Sequence, residues 1–81
     1  MPTVKRIGPY RFYFFSHEPN EPAHIHVDRD DRSAKFWIKP VRLARNLGFP
    51  PAELRRLHDL TAEHQLEFLE AWNGYFVTTS R

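Results

Sequence analysis

The chain contains no cysteine. That excludes a disulfide framework and any thiolate metal site. No apolar run reaches the length of a membrane span, and the N-terminus lacks the apolar segment of a signal peptide. A cytoplasmic protein with no membrane partner is expected. Length is scarce as well. With 81 residues there is no room for a second core, so residues 1–81 are expected to form a single domain. A core this thin is most simply built in two layers. Internal repeats and low-complexity segments are absent from the sequence.

Aromatic residues, by contrast, make up 15% of the chain, which fits a packed domain rather than a disordered one. The formal net charge of +2 hides an asymmetry. Residues 1–58 carry 11 Lys or Arg against 6 Asp or Glu, whereas residues 59–81 carry 1 against 4. The first part is suited to phosphate or to an acidic partner. An ordinary mixed surface accounts for the same numbers.

The central stretch is Pro22-Ala23-His24-Ile25-His26-Val27. Its β-branched residues and the proline-containing loop before it predict a strand. Alternation on that strand turns His24 and His26 to one face and Ile25 and Val27 to the other, with the imidazoles about 7 Å apart.

Around it, Thr3 to Ile7 reads as an edge strand, Gly8-Pro9 as a turn, and Tyr10 to Phe15 as an aromatic strand. Ser16 to Ala23 is a loop stiffened by Pro19 and Pro22, carrying His17, Glu18 and Glu21 towards His24. His24 to Arg29 and Ser33 to Lys39 form two strands about an Asp30-Asp31 turn. Pairing them puts Ile25, Val27, Phe36 and Ile38 on the core. His24, His26, Lys35, Trp37 and Lys39 then gather opposite, with register deciding the facing. Val41 to Leu47 is either a short strand or an irregular crossing, and it brings Arg42 and Arg45 to the same region.

Gly48-Phe49-Pro50-Pro51 breaks the chain before a helix, with Glu53 placed to favour the helix dipole. Apolar positions from Leu54 to Phe76 keep a helical period. A straight helix from Ala52 to Phe76 would span almost 40 Å, too long for so small a domain. A break is expected at Ala62 to His64. Glu63, Glu67 and Glu70 form an acidic stripe, read as a solvated face. His58 and His64 read as packing or surface residues.

Several segments recur together: Tyr10-Arg11-Phe12, Ser16-His17-Glu18, Pro22-x-His24-Ile25-His26-Val27, Ala34-Lys35-Phe36-Trp37, Gly48-Phe49, Glu53-Leu54 and Leu69-Glu70-Ala71-Trp72-Asn73. In that order they resemble a family of small prokaryotic proteins known as domain of unknown function family 4160. The resemblance covers nearly the whole chain, and the His-Ile-His-Val core is its most specific part. It implies no settled activity. It does imply a neighbouring gene for a second small protein, and hence a two-gene, toxin–antitoxin-like module. The chain departs from the family pattern at His17, where Asn is common, and at Pro50, where Ser is common.

Three functions compete for the histidine face. In the first, His24 and His26 supply acid and base for metal-independent RNA cleavage, Lys35, Lys39 or Arg45 stabilises the phosphate, and Trp37 stacks a base. In the second, the two histidines bind metal together with Glu18 or His17. In the third, the histidines hydrogen-bond the loop and the aromatic, basic face docks a protein. The leading reading is the third, as part of a two-gene module with a small protein partner. Ribonuclease or RNA binding is the alternative, and metal binding comes after it. The candidate catalytic residues are His24, His26 and Lys35, and the candidate partner- or nucleic-acid-binding residues are Trp37, Lys39, Arg42 and Arg45. No cofactor is expected, and the oligomeric state is left open. The expected fold is α+β: a mostly antiparallel sheet of three to four strands with a C-terminal helix or bent helix pair on one face.

Overall fold

The computed structural model describes residues 3–15 and 20–79, the last four of these as backbone only. Five strands run in chain order across one antiparallel sheet: β1 (Thr3–Ile7), β2 (Tyr10–Tyr13), β3 (His24–Arg29), β4 (Arg32–Ile38) and β5 (Val41–Leu47). Two helices follow, α1 (Pro51–Glu63) and α2 (Gln65–Thr79). The fold is α+β, as the sequence predicts, with five strands instead of three to four.

The additional strand has a physical explanation. β5 buries almost none of its side chains, so it lacks the apolar alternation that marks a half-buried strand. Its register also shifts: Lys35 pairs with Arg45 while Phe36 pairs with Leu43, leaving Ala44 without a partner. A bulge of this kind breaks the two-residue period. β1 carries a similar shift at Val4, between the pairs Thr3–Tyr13 and Lys5–Phe12.

Register fixes the two faces. Phe12 pairs with Val27 and Val27 with Ala34, while Ile25 pairs with Phe36. These side chains are buried and share one face with Tyr10, Phe14 and Ile38. Leu57 of α1 and Phe68 and Trp72 of α2 complete the same core. Phe12 meets Phe68 at a ring-centroid distance of 5.1 Å. The expected division of Ile25, Val27, Phe36 and Ile38 towards the core therefore holds.

Tight turns hold this register. Arg29 pairs with Arg32 across the two-residue Asp30-Asp31 turn. Asp30 has φ 55°, a left-handed conformation that Asp tolerates. Ile38 pairs with Val41 across Lys39-Pro40. After β5, Gly48 adopts φ 103°, and a side chain there would also meet the Arg32 Cγ at 3.3 Å. Asn46 spans this turn: its side-chain NH₂ donates to the Phe49 carbonyl, and its carbonyl oxygen accepts from the Phe49 amide, each at 3.0 Å.

The helical region breaks where the length argument places it. His64 stands between α1 and α2 with φ −105° and ψ 21°. One turn earlier, the buried Thr61 hydroxyl donates to the Leu57 carbonyl at 2.8 Å, a back-bond that bends helices. Gln65 then anchors α2 by donating to the Ile38 carbonyl at 2.7 Å.

One carboxylate ties α1 to the sheet. Glu53 accepts from the Tyr10 hydroxyl and from Arg29, each at 2.7 Å, and from Arg32 at 3.1 Å. The Tyr10 hydrogen bond, then Arg29, hold its carboxyl below the usual carboxylate range against the opposing effect of desolvation. Burial first, then Glu53, push the Tyr10 hydroxyl upwards.

Two tests follow from these contacts. Pro50 precedes α1 in an extended conformation (φ −72°, ψ 159°) and provides no side-chain cap. Pro50→Ser should stabilise the protein by about 0.5–1 kcal/mol through a new cap, less the entropy of a freer unfolded chain. A lower thermal midpoint for the variant would count against this. For Glu53, the lowered folded pKa means that its contribution is complete above the ordinary value of about 4.3. That contribution is lost as pH falls through the lower folded value. Glu53→Gln should therefore lower the midpoint at pH 7 and flatten its decline in acid. A decline as steep as the wild type's would remove Glu53 as its source.

Candidate functional site

The sheet face opposite the helices is polar and aromatic, and register arranges it in rows. Tyr13 pairs with His26, His26 with Lys35, and Lys35 with Arg45. One row thus crosses four strands. Beside it runs Arg11–Asp28–Ser33–Leu47, and on its other side His24–Trp37–Arg42. Arg42 and Arg45 are three residues apart and would face opposite ways on a regular strand. The unpaired Ala44 brings both to this face.

The first links of the row are closely packed. The His26 ring lies parallel on Tyr13, with centroids 5.3 Å apart and planes at 18°. Phe15 meets His26 edge-on at 4.7 Å, and the Arg11 guanidinium lies 4.5 Å from the Tyr13 ring centre. The Tyr13 hydroxyl donates to Asp28 at 3.0 Å. Burial, then that hydrogen bond, push the Tyr13 pKa up. Tyr13 is therefore a neutral donor at neutral pH.

Lys35 is only 14% exposed at its side chain, and its ammonium is paired with Glu21 at 2.5 Å. It also lies 4.8 Å from the centre of the Trp37 ring. Tyr13, Phe15, Glu21, His26, Lys35 and Arg45 line a groove of about 310 Å³.

His24 differs from the expected open position. It shares the face by register, yet its exposure is 0%. The Trp72 ring packs against it at 4.7 Å, and His26 and Trp37 lie at 5.1 and 5.8 Å. Its Nδ1 is 2.9 Å from the Pro22 carbonyl, which in the neutral ring assigns the proton to Nδ1. Glu21 is 3.7 Å from the same nitrogen. The two histidines are thus unequal: His24 closes the end of the sheet against α2, while His26 faces the groove.

The remaining candidates separate by position. Trp37 is half-buried between His24 and Lys35, and Arg42 is exposed beside it on β5. Lys39 falls in the turn after β4 instead of on the strand. His17 and Glu18 lie outside the described residues. Among the described residues, no group of three His, Asp or Glu side chains is placed to hold a metal ion. His58 is exposed near the Val41 carbonyl, and His64 contacts Glu67 at 3.3 Å, as a packing or surface reading expects. Glu63, Glu67 and Glu70 are exposed, and Glu67 pairs with Lys5 at 3.2 Å.

Tyr13, Glu21 and Leu47 belong to the groove without having been singled out for it. Tyr13 carried a usable signal, since alternation along β2 places it opposite Phe12. Glu21 was one of three charged loop residues, and nothing in its spacing set it apart.

Unequal histidines make unequal variants. His24→Ala empties a fully buried ring position and should cost roughly 2–4 kcal/mol. His26→Ala removes a half-exposed stacked ring and should cost about 0.5–1.5 kcal/mol. Urea denaturation of both variants measures the difference. Equal losses would show that the burial of His24 contributes nothing special.

No curated protein and no solved structure matches the chain. Among the described residues, no helix is long and apolar enough to cross a membrane. A family model does match, over residues 10–73, which spans β2 to most of α2 and so includes the groove and the buried histidine. The chain therefore belongs to the family described as Domain of unknown function (DUF4160).

Proposed function

We propose that this protein is one component of a two-protein, toxin–antitoxin-like module and acts by binding its small protein partner through the open face of the sheet. The observation that carries this reading is the row Tyr13–His26–Lys35–Arg45, which crosses four strands and ends in a guanidinium at the sheet edge. An aromatic centre bordered by arginines has the composition of a protein-binding surface. Its side chains are held by packing: His26 by Tyr13 and Phe15, Lys35 by Glu21. A surface fixed before binding loses little side-chain entropy when the partner arrives.

The same face, with its neighbouring row His24–Trp37–Arg42, favours a second reading, the binding of single-stranded RNA. Trp37 and the rings around His26 offer stacking surfaces, and Lys35, Arg42 and Arg45 offer charge for phosphates. Cleavage draws less support than binding. With His24 buried, the groove contains one half-exposed imidazole among its described lining residues, so the pairing of His24 with His26 as acid and base draws no support. Metal binding draws no support from any cluster among the described residues.

Co-expression with the protein encoded next to this chain tests the first reading. A complex should survive size-exclusion chromatography. Trp37→Ala and Arg45→Ala should each weaken it about tenfold or more, equivalent to about 1.4 kcal/mol. The thermal midpoint of Arg45→Ala should stay near that of the wild type, whereas Trp37→Ala, which removes a half-buried ring between His24 and Lys35, should lower it while the protein stays folded. A complex indifferent to both substitutions would remove the sheet face as its site. Tight binding of single-stranded RNA, weakening steeply with salt and lost in Arg45→Ala, would favour the second reading instead.

A further inference from the structure

We propose that the free edge of β5 accepts a sixth strand: an extended segment of the partner protein, acidic on the side that meets Arg42 and Arg45 and apolar on the side that meets Leu43. The proposal rests on the reading of this chain as a protein-binding module, and it names the mode of docking and the chemistry of the docked segment.

β5 is the last strand in the sheet order, so among the described residues no strand neighbours its outer backbone amides and carbonyls; only at its start does a side chain reach this edge, where the His58 ring lies 3.2 Å from the Val41 carbonyl. It is seven residues long, and six of them are exposed. An edge of this length is a template for strand addition. Arg42 and Arg45 lie on the open face, and among the described residues neither has an ion-pair partner. Lys35, their neighbour, is already neutralised by Glu21. On the helix side, Leu43 is 45% exposed next to the buried Phe36. Leu47 is 57% exposed at the far end of the strand.

These features choose the occupant. A second copy paired antiparallel through β5 would bring four guanidiniums to one face, and like charges across a strand pair are destabilising. A nucleic acid would satisfy the arginines but has no peptide ladder to offer the backbone edge or the leucine. A strand with alternating acidic and apolar residues satisfies all three.

The probe is a fluorescein-labelled eight-residue peptide of alternating Glu and Val, titrated onto the wild-type protein by fluorescence anisotropy. Two further versions carry N-methyl groups on alternate amides, one version for each edge of the extended peptide. Saturable binding is expected, with an alternating Lys and Val peptide failing to bind. The double variant Arg42→Glu/Arg45→Glu should weaken binding of the acidic peptide at least tenfold. Methylation along one edge should abolish binding, while methylation along the other is tolerated. Amide exchange within residues 41–47 should slow in the complex. Equal tolerance of both methylated peptides, or unchanged exchange in β5, overturns strand addition. So does the absence of peptide binding, or an eight-residue uridine strand binding in its place. Co-expression with the neighbouring protein separates the two readings. A complex lost in Trp37→Ala, in a protein whose β5 exchange never slows, leaves face docking standing and removes the edge.

Discussion

Alternation along β3 and β4 is the constraint on which the molecule depends. Every second side chain enters the one core that two short helices can cover: Ile25 and Val27 on β3, Ala34, Phe36 and Ile38 on β4. Burying a large apolar side chain is worth about 1.5–3 kcal/mol, so these positions dominate the stability of so small a protein. A slip of one residue would exchange this set for His26, Lys35 and Trp37. The two-residue turns at Asp30-Asp31 and Lys39-Pro40 prevent that slip. Because the helices cover one face and, through Trp72, only the His24 end of the other, the remaining residues between the core positions are left to form the open face. The groove is therefore a direct consequence of the pattern that builds the core.

Much of this was legible in the residues. The Ile-x-Val and Phe-x-Ile spacings identify the core face, and the Asp pair identifies the hairpin. The helix break is expected from the length of the periodic segment, whereas the Thr61 back-bond one turn before it is not visible in the sequence. What was hidden shares one physical character: it depends on contacts between segments distant in the chain. β5 is defined by its hydrogen bonds to β4, since its own side chains bury almost nothing. Glu53 reads locally as a residue that suits a helix dipole, yet it also joins Tyr10, Arg29 and Arg32. His24 and His26 look equivalent on a strand. Trp72, nearly fifty residues on, makes them different.

The charge asymmetry also acquires a location. The basic excess of the first 58 residues includes Arg11, Lys35, Arg42 and Arg45 on the open face. The acidic excess that follows includes Glu67 and Glu70 on the exposed side of α2. In the proposed reading, opposite charges on opposite sides would orient the molecule towards an acidic partner before contact is made. Glu21 moderates this locally. Its carboxylate pairs with Lys35 at the rim of the groove, so an incoming anion must compete with a group of the chain itself. Arg42 and Arg45 carry no such competitor among the described residues, which makes the β5 side of the face the more strongly attracting one.

The bulge at Ala44 draws these threads together. Bulges usually blunt an exposed edge by twisting it, and charged side chains there discourage pairing. Both devices are present in β5, and together they act selectively. The arginines repel another basic edge, including that of a second copy, but attract an acidic one. The bulge places them on a single face, where they continue the row from Tyr13 through His26 and Lys35. A regular strand would have sent one of the two to the helix side. The same inserted residue thus discourages indiscriminate pairing along this edge and extends the open face to it.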